Sequence, residues 1–543
     1  MKHLIDRREF LRWTAIAAGG TVLASCAPKE TSAPTAVPTQ VPTQVPTVAP
    51  SPTPSRYGGT LRWAFGGEPP TMDLQWTTTT LVLWAGLHMY EALFTYDSNY
   101  GPIPDLAESW EMSQDGLTHQ LKLRHGVPFH NGKEMTAEDV QASLERWAKL
   151  AGAGKTLFGR VDKLSAPDKY TVEFKLKEVY PTFANALCPS GQGPVIYPKE
   201  IVVEAADGEI KQYIGTGPYK FEEWQRDRFL RMVRFDGYVP HGDKPNGYGG
   251  RKMAYLDEIR LNFVAEPSTR LAGLLSGEYD RADGVPGAEY PQLKNNPSVN
   301  ILWSEAAGTS CNIINMKSPI TSNLKLRQAM LAATDCEPIL VARQGGNLDA
   351  CEFTPAIGDG RWRSDASKEL FDQNNLDKAK QLLKESGYNG EPIRWLTTKE
   401  FPGFYELAVV HSQQLEAAGI KVELLVHDWA TVVSIRAGTD TWEVLTSGWG
   451  LQVDPILCPQ FNGSFVGWWQ TETAEALRKK ILSTPGFDER YGAWEDLQRL
   501  WYEEVPAIHY GKSKGWNPVS PKVMCDEWLE TWTRAMWNAY LVK

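Results

Sequence analysis

Between Leu117 and Leu123 apolar and polar side chains alternate, the period-two pattern of a strand with one buried face. A turn at Gly126 ends the alternation, and Asn131-Gly132 makes a second. The period then changes. Val140, Leu144 and Trp147 form an apolar stripe at helical spacing, with Thr136 as N-cap and Asp139 three residues on as a variant of the capping box. The stretch therefore reads strand, two turns, helix. Trp13 to Ser25 is a weakly apolar run, too short to cross a bilayer as a mature helix. From Ala27 to Arg56 Pro, Thr, Val, Ser and Ala dominate, with TxVP-like repeats around Pro38, Pro42 and Pro46. Such a segment cannot bury a core and predicts an extended, semi-rigid tether spanning at most roughly 90 Å.

The N-terminal pattern gives an address. Asp6-Arg7-Arg8-Glu9-Phe10-Leu11-Arg12 is a twin-arginine export pattern ahead of the apolar run, and Leu23-Ala24-Ser25-Cys26 matches a lipoprotein box. The expected order is a signal peptide over 1–25, with Arg7 and Arg8 as its export signal, then lipidated Cys26 and the tether over 26–56. About 487 residues follow, too many for one hydrophobic core, so at least two lobes are expected. The net charge is -10, and residues 1–25 carry four basic against two acidic side chains, so the exported chain lies nearer -12. That balance argues against nucleic acid and leaves the acyl group at Cys26 as the membrane contact.

Chemistry is sparse. Six cysteines follow Cys26 without the CxxC spacing of a zinc site; Cys336 and Cys351 are the closest candidates for a pair. Gly152-Ala153-Gly154-Lys155-Thr156 imitates a phosphate loop, but Lys149 stands where GxxxxGK[ST] needs glycine, and the segment reads as a helix cap and turn. No HExxH pair and no GxSxG elbow occur, and His119, His125 and His130 are expected to make local hydrogen bonds. Nothing here predicts an enzyme, a metal or a cofactor. Of the 21 tryptophans, Trp110 and Trp224 are read as scaffold. Trp395, Trp429, Trp442, Trp449, Trp468, Trp469, Trp528, Trp532 and Trp537 are read as candidates to line an aromatic cleft.

The strand-turn-helix stretch resembles the signature of the family 5 extracellular solute-binding proteins, which serve ABC importers. The matching residues are Ala107, Ser109, Trp110, Asp115, Gly116, Leu123, Arg124, Gly126, Val127, Phe129, His130, Gly132, Thr136, Ala137, Asp139, Val140, Ser143 and Leu144. Further family-like landmarks follow from Gly58 to about Val523, among them Gly215-Thr216-Gly217-Pro218-Tyr219, Leu326 to Met330 and Ala379 to Tyr388. The resemblance implies an α/β, two-lobed periplasmic-binding-protein-like fold of the large class, with mixed sheets flanked by helices and a ligand cleft between lobes. Lobe I would cover 57–308, with an inserted subdomain at about 85–200; lobe II 309–510; and 511–543 would return to lobe I.

The resemblance also implies a substrate-binding lipoprotein of an ABC transporter, not an enzyme, on the outer face of the cytoplasmic membrane. It would be a monomer that delivers its ligand to the permease transmembrane subunits. Oligopeptide is the family default and oligosaccharide the alternative; a secreted hydrolase or adhesion protein fits less well. The ligand residues it implies are Met72, Trp76, Asn312, Lys399, Trp429, Gly448, Trp449, Leu451, Gln452 and Asp454. Peptide-binding members typically carry an aspartate two or three residues after the tryptophan to pair with the α-ammonium. Here Leu451 and Gln452 hold those positions, and Asp454 is the shifted candidate, although an aspartate before this proline is usual in the family and the resemblance equally implies a structural role for it. Lys399 would replace, as a point charge, the arginine that some dipeptide binders aim at the carboxylate.

Overall fold

The strand read at Leu117 runs over Thr118–Leu123, with His119, Leu121 and Leu123 on its buried face. It lies second in a four-stranded antiparallel sheet, after Ala107–Met112 and before Thr171–Leu176 and Val161–Asp168. The helix Ala137–Leu150 begins where the capping pattern puts it. The Asp139 carboxylate accepts the Thr136 backbone N–H at 2.9 Å and the Thr136 hydroxyl at 2.8 Å. Val140, Leu144 and Trp147 are fully buried. One expectation fails: Gly152–Arg160 is not a turn but a second helix, set off by the extended backbone of Ala151. The glycine there serves packing rather than capping, since a Cβ on Gly154 would lie 2.5 Å from the Trp147 carbonyl oxygen.

The computed structural model describes residues 56–304, 308–525 and 535–542. Arg7, Arg8, Cys26, the tether up to residue 55, Trp528 and Trp532 lie outside the described residues.

Two larger mixed sheets organise the chain. The first has seven strands, in the order Asn300–Ser304, Gly515–Val519, Arg281–Ala282, Thr60–Phe65, Glu258–Phe263, Phe229–Arg234, Tyr219–Gln225. The second has six, in the order Cys351–Glu352, Ala507–Ser513, Thr309–Ile314, Val444–Trp449, Ile393–Thr397, Val422–Val426. The chain passes from the first sheet to the second between Ser304 and Thr309, and returns between Ser513 and Gly515. The strand Thr309–Ile314 is buried at every residue, as an inner strand covered on both faces must be. Each sheet has its own core. Trp63, Phe94, Trp147 and Leu261 belong to one, and Ile314, Trp395, Leu407 and Trp501 to the other.

Two segments of the second lobe reach across to the first. Leu451 and Val453 pack into the first lobe's core. The Arg361 backbone N–H donates to the Asn99 carbonyl at 2.8 Å. Lys512, fully buried two residues before the return crossing, ties these segments together by donating to Asp359 and to the carbonyls of Ile357 and Gly358. Asp359 in turn accepts the Gln452 backbone N–H at 2.9 Å. The described cysteines are all free thiols, so the pairing of Cys336 with Cys351 is not formed. Their thiols point instead toward the carbonyls of His509 and Asn347.

Candidate functional site

Three neighbouring parallel strands of the second lobe, Ile393–Thr397, Val422–Val426 and Val444–Trp449, end on the same side. The loops beyond their carboxyl ends, where α/β sheets commonly hold ligands, close around one cavity of about 550 Å³. The first strand leads to Phe401, Pro402 and Phe404, the second to Trp429, and the third to Ser447, Gly448, Trp449 and Gly450. Arg343 and Gln344 come from the end of the helix Cys336–Arg343, and Arg436 from the end of Trp429–Ile435. All residues lining this cavity lie between Gly308 and Ser513.

Local chemistry fixes each wall. Trp429 opens a helix capped by Asp428, whose side chain accepts the Thr431 N–H at 2.9 Å, while Glu400 accepts the Trp429 N–H at 2.9 Å. Its ring meets Phe401 edge to face, with centroids 4.9 Å apart, and the Arg436 guanidinium lies 5.3 Å from the Trp429 ring centroid. Gly448 must lack a side chain, because a Cβ would sit 2.7 Å from the Thr309 carbonyl oxygen on the neighbouring strand. Burial lowers the pKa of both Arg343 and Arg436 from its ordinary value.

Of the residues read from the sequence as ligand contacts, Trp429, Gly448 and Trp449 meet at this cavity. The others do not line it. Met72 is fully buried in a loop held by the Asp73–Arg146 ion pair at 2.6 Å, and Trp76 stands exposed on the surface. Asn312 is buried in the second core, its amide directed at Tyr510 and His411. Lys399 is exposed, with its ammonium 4.5 Å from the Tyr405 ring. Leu451 is buried against the first lobe, and Gln452 is held through its backbone by Asp359. Asp454 is wholly buried and committed to Arg490 at 2.7 Å, so it has no free carboxylate for an ammonium group.

The aromatic cleft is likewise smaller than the tryptophan count suggested. Trp395 and Trp442 are core residues whose indoles donate to Thr446 and to the Gly438 carbonyl, each at 2.8 Å. Trp469 is buried in the second core and Trp537 in the first, while Trp468 packs half-buried against the second. Sequence reading missed Arg343, Phe401, Phe404, Arg436 and Phe465. Phe401-Pro402-Gly403-Phe404, a turn flanked by aromatic rings, was the one readable signal among them. Among the described residues no group of three or more His, Cys, Asp or Glu is placed to hold a metal ion. The local hydrogen bonds expected of His119 and His130 are present, to the Trp110 indole and to the backbone of Gly215 and Gly217.

The model of the bacterial extracellular solute-binding proteins, family 5 Middle, matches residues 101–461. The chain belongs to that family. Among its relatives is a Sinorhizobium fredii protein named "Probable peptide ABC transporter periplasmic-binding protein y4tO". It is 28% identical over 457 residues, which are 80% of this chain and 85% of that protein. The oligopeptide-binding protein AppA of Bacillus subtilis is 25% identical over 479 residues, 83% of this chain and 85% of its own. The solved structure of HbpA2 from Haemophilus parasuis superposes with a TM-score of 0.76 at 24% identity, covering 89% of this chain and all of that one. The two-lobed α/β architecture is therefore the family 5 fold, and solute binding outside the cytoplasm is the family's business.

Proposed function

We propose that this family 5 protein captures peptides in the cavity bounded by Trp429, Trp449, Arg343 and Arg436 and delivers them to an ABC permease. The observation that carries the reading is the cavity itself: about 550 Å³, within the range of small-ligand sites, with aromatic walls at the carboxyl ends of three strands. Relatives named for peptides and oligopeptides, aligned over most of this chain, support peptide as the ligand class. In this reading the protein is a receptor and not an enzyme. Ligand binding biases an equilibrium between open and closed lobes, and the closed form docks on the permease. Export by the Arg7-Arg8 signal and acylation at Cys26 would hold a monomer on the outer face of the cytoplasmic membrane, lifted by the tether over 26–56.

Oligosaccharide is the second reading, because Trp429 and Trp449 both line the cavity and offer stacking faces. Thermal melting of the full chain against di- to hexapeptides and α- and β-linked oligosaccharides separates the two, since a ligand of the native state raises Tm. Peptides are expected to raise it. A rise with sugars alone would replace the peptide reading.

A further inference from the structure

The charge of the cavity is one-sided. Arg343 and Arg436 line it, and no Asp or Glu does. Neither guanidinium meets a carboxylate within ion-pair distance among the described residues. Arg343 spends Nη1 on the Pro402 carbonyl, and its buried Nε has no hydrogen-bond partner. The one carboxylate that attracts it, Glu406, lies outside the lining. Arg436 donates no side-chain hydrogen bond among the described residues. Between the two runs a continuous row of rings. Arg343 sits 5.0 Å from Phe404, Phe404 5.3 Å from Phe401, Phe401 4.9 Å from Trp429, and Trp429 5.3 Å from Arg436. The cavity thus has an aromatic floor with a cation at either end.

A guanidinium drawn partly out of water without a counter-ion has lost hydration and gained little, and a carboxylate offers it paired, charge-assisted hydrogen bonds. The contrast with the rest of the molecule adds weight, because the chain as a whole carries -10. A positive lining in an acidic protein is a local arrangement that focuses the field on anionic solutes. A ligand with a carboxylate at each end and apolar atoms between would satisfy both arginines and cover the rings.

Resting on the peptide reading, we infer that the cavity selects acidic peptides, which place the C-terminal carboxylate on one of Arg343 and Arg436 and an acidic side chain on the other. Titration of the full chain with Ala-Ala-Glu, Ala-Ala-Gln and Ala-Ala-Lys, followed by tryptophan fluorescence and Tm, tests this. Ala-Ala-Glu is expected to bind at least about tenfold more tightly than Ala-Ala-Gln, with affinity that falls as salt rises. Arg436→Gln is expected to bring Ala-Ala-Glu down to the level of Ala-Ala-Gln, and Arg436→Lys to restore part of the difference. Arg343→Gln should do the same, with its urea midpoint measured alongside because Nη1 also holds Pro402. Equal binding of the three peptides by the unaltered protein overturns the acid preference and leaves the peptide reading standing. No binding of any of them, in either readout, overturns the peptide reading and the preference with it.

Discussion

Asp454 and Arg490 meet at 2.7 Å with both side chains almost wholly out of water, so removing either leaves a buried charge without its partner. Asp454→Ala is expected to cost about 3–5 kcal/mol in urea unfolding. Asp454→Asn, which keeps the shape, should cost less while peptide affinity stays within about twofold. A large loss of affinity without loss of stability would return Asp454 to the ligand. How much of this was legible depended on distance along the chain. The Thr136–Asp139 cap could be read because both partners fall within one turn. The partner of Asp454 could not be read, because Arg490 arrives from 36 residues away and only folding shows that the carboxylate is already used. Arg343 and Arg436 were invisible for the converse reason: a sequence displays a cation but not whether an anion comes to meet it.

The two helices Ala137–Leu150 and Gly152–Arg160 are joined through the single extended residue Ala151, and the glycines beside that joint have different duties. A side chain on Gly152 meets nothing within 4 Å, whereas one on Gly154 runs into the Trp147 carbonyl. Gly152→Ala is expected to leave stability unchanged or raise it by up to about 1 kcal/mol through backbone entropy. Gly154→Ala should lower it by about 1–3 kcal/mol, because backbone must shift to admit the methyl group. Urea midpoints of the two variants decide the point. Periodicity made the first helix legible, but a glycine-rich run is ambiguous, since the residue that ends a helix also permits close packing between two. Strands were easier where one face is polar. The all-buried strand Thr309–Ile314 carries no alternation to read, and its partners on both sides lie at least 130 residues further on, since Ile314 pairs with Val444.

Across the described residues, five histidines are held neutral by burial: His88, His119 and His130 in the first lobe, at about 4, and His411 and His509 in the second, at about 3. Unfolding exposes them to water, where each takes a proton below about pH 6.5. Because the unfolded chain then binds more protons than the native one, stability falls as pH falls from about 6.5 toward 4, by about 1.4 kcal/mol per pH unit for each histidine once its unfolded form is protonated. Urea titrations at pH 7, 6 and 5 should show a declining midpoint, in a window where ordinary carboxylates are still ionised; a flat midpoint would contradict it. The two-lobed plan itself was legible from length and family resemblance, while the bridge between lobes was not, since Leu451 and Val453 look in sequence like any loop apolars. That bridge has a mechanical meaning. Trp449 faces the cavity, Leu451 is seated in the opposite lobe, and between them Gly450 has nothing within 4 Å of the place a side chain would take. A wall of the cavity and a side chain seated in the opposite lobe are thus separated by one glycine, so the backbone that carries Trp449 cannot be placed independently of the far lobe.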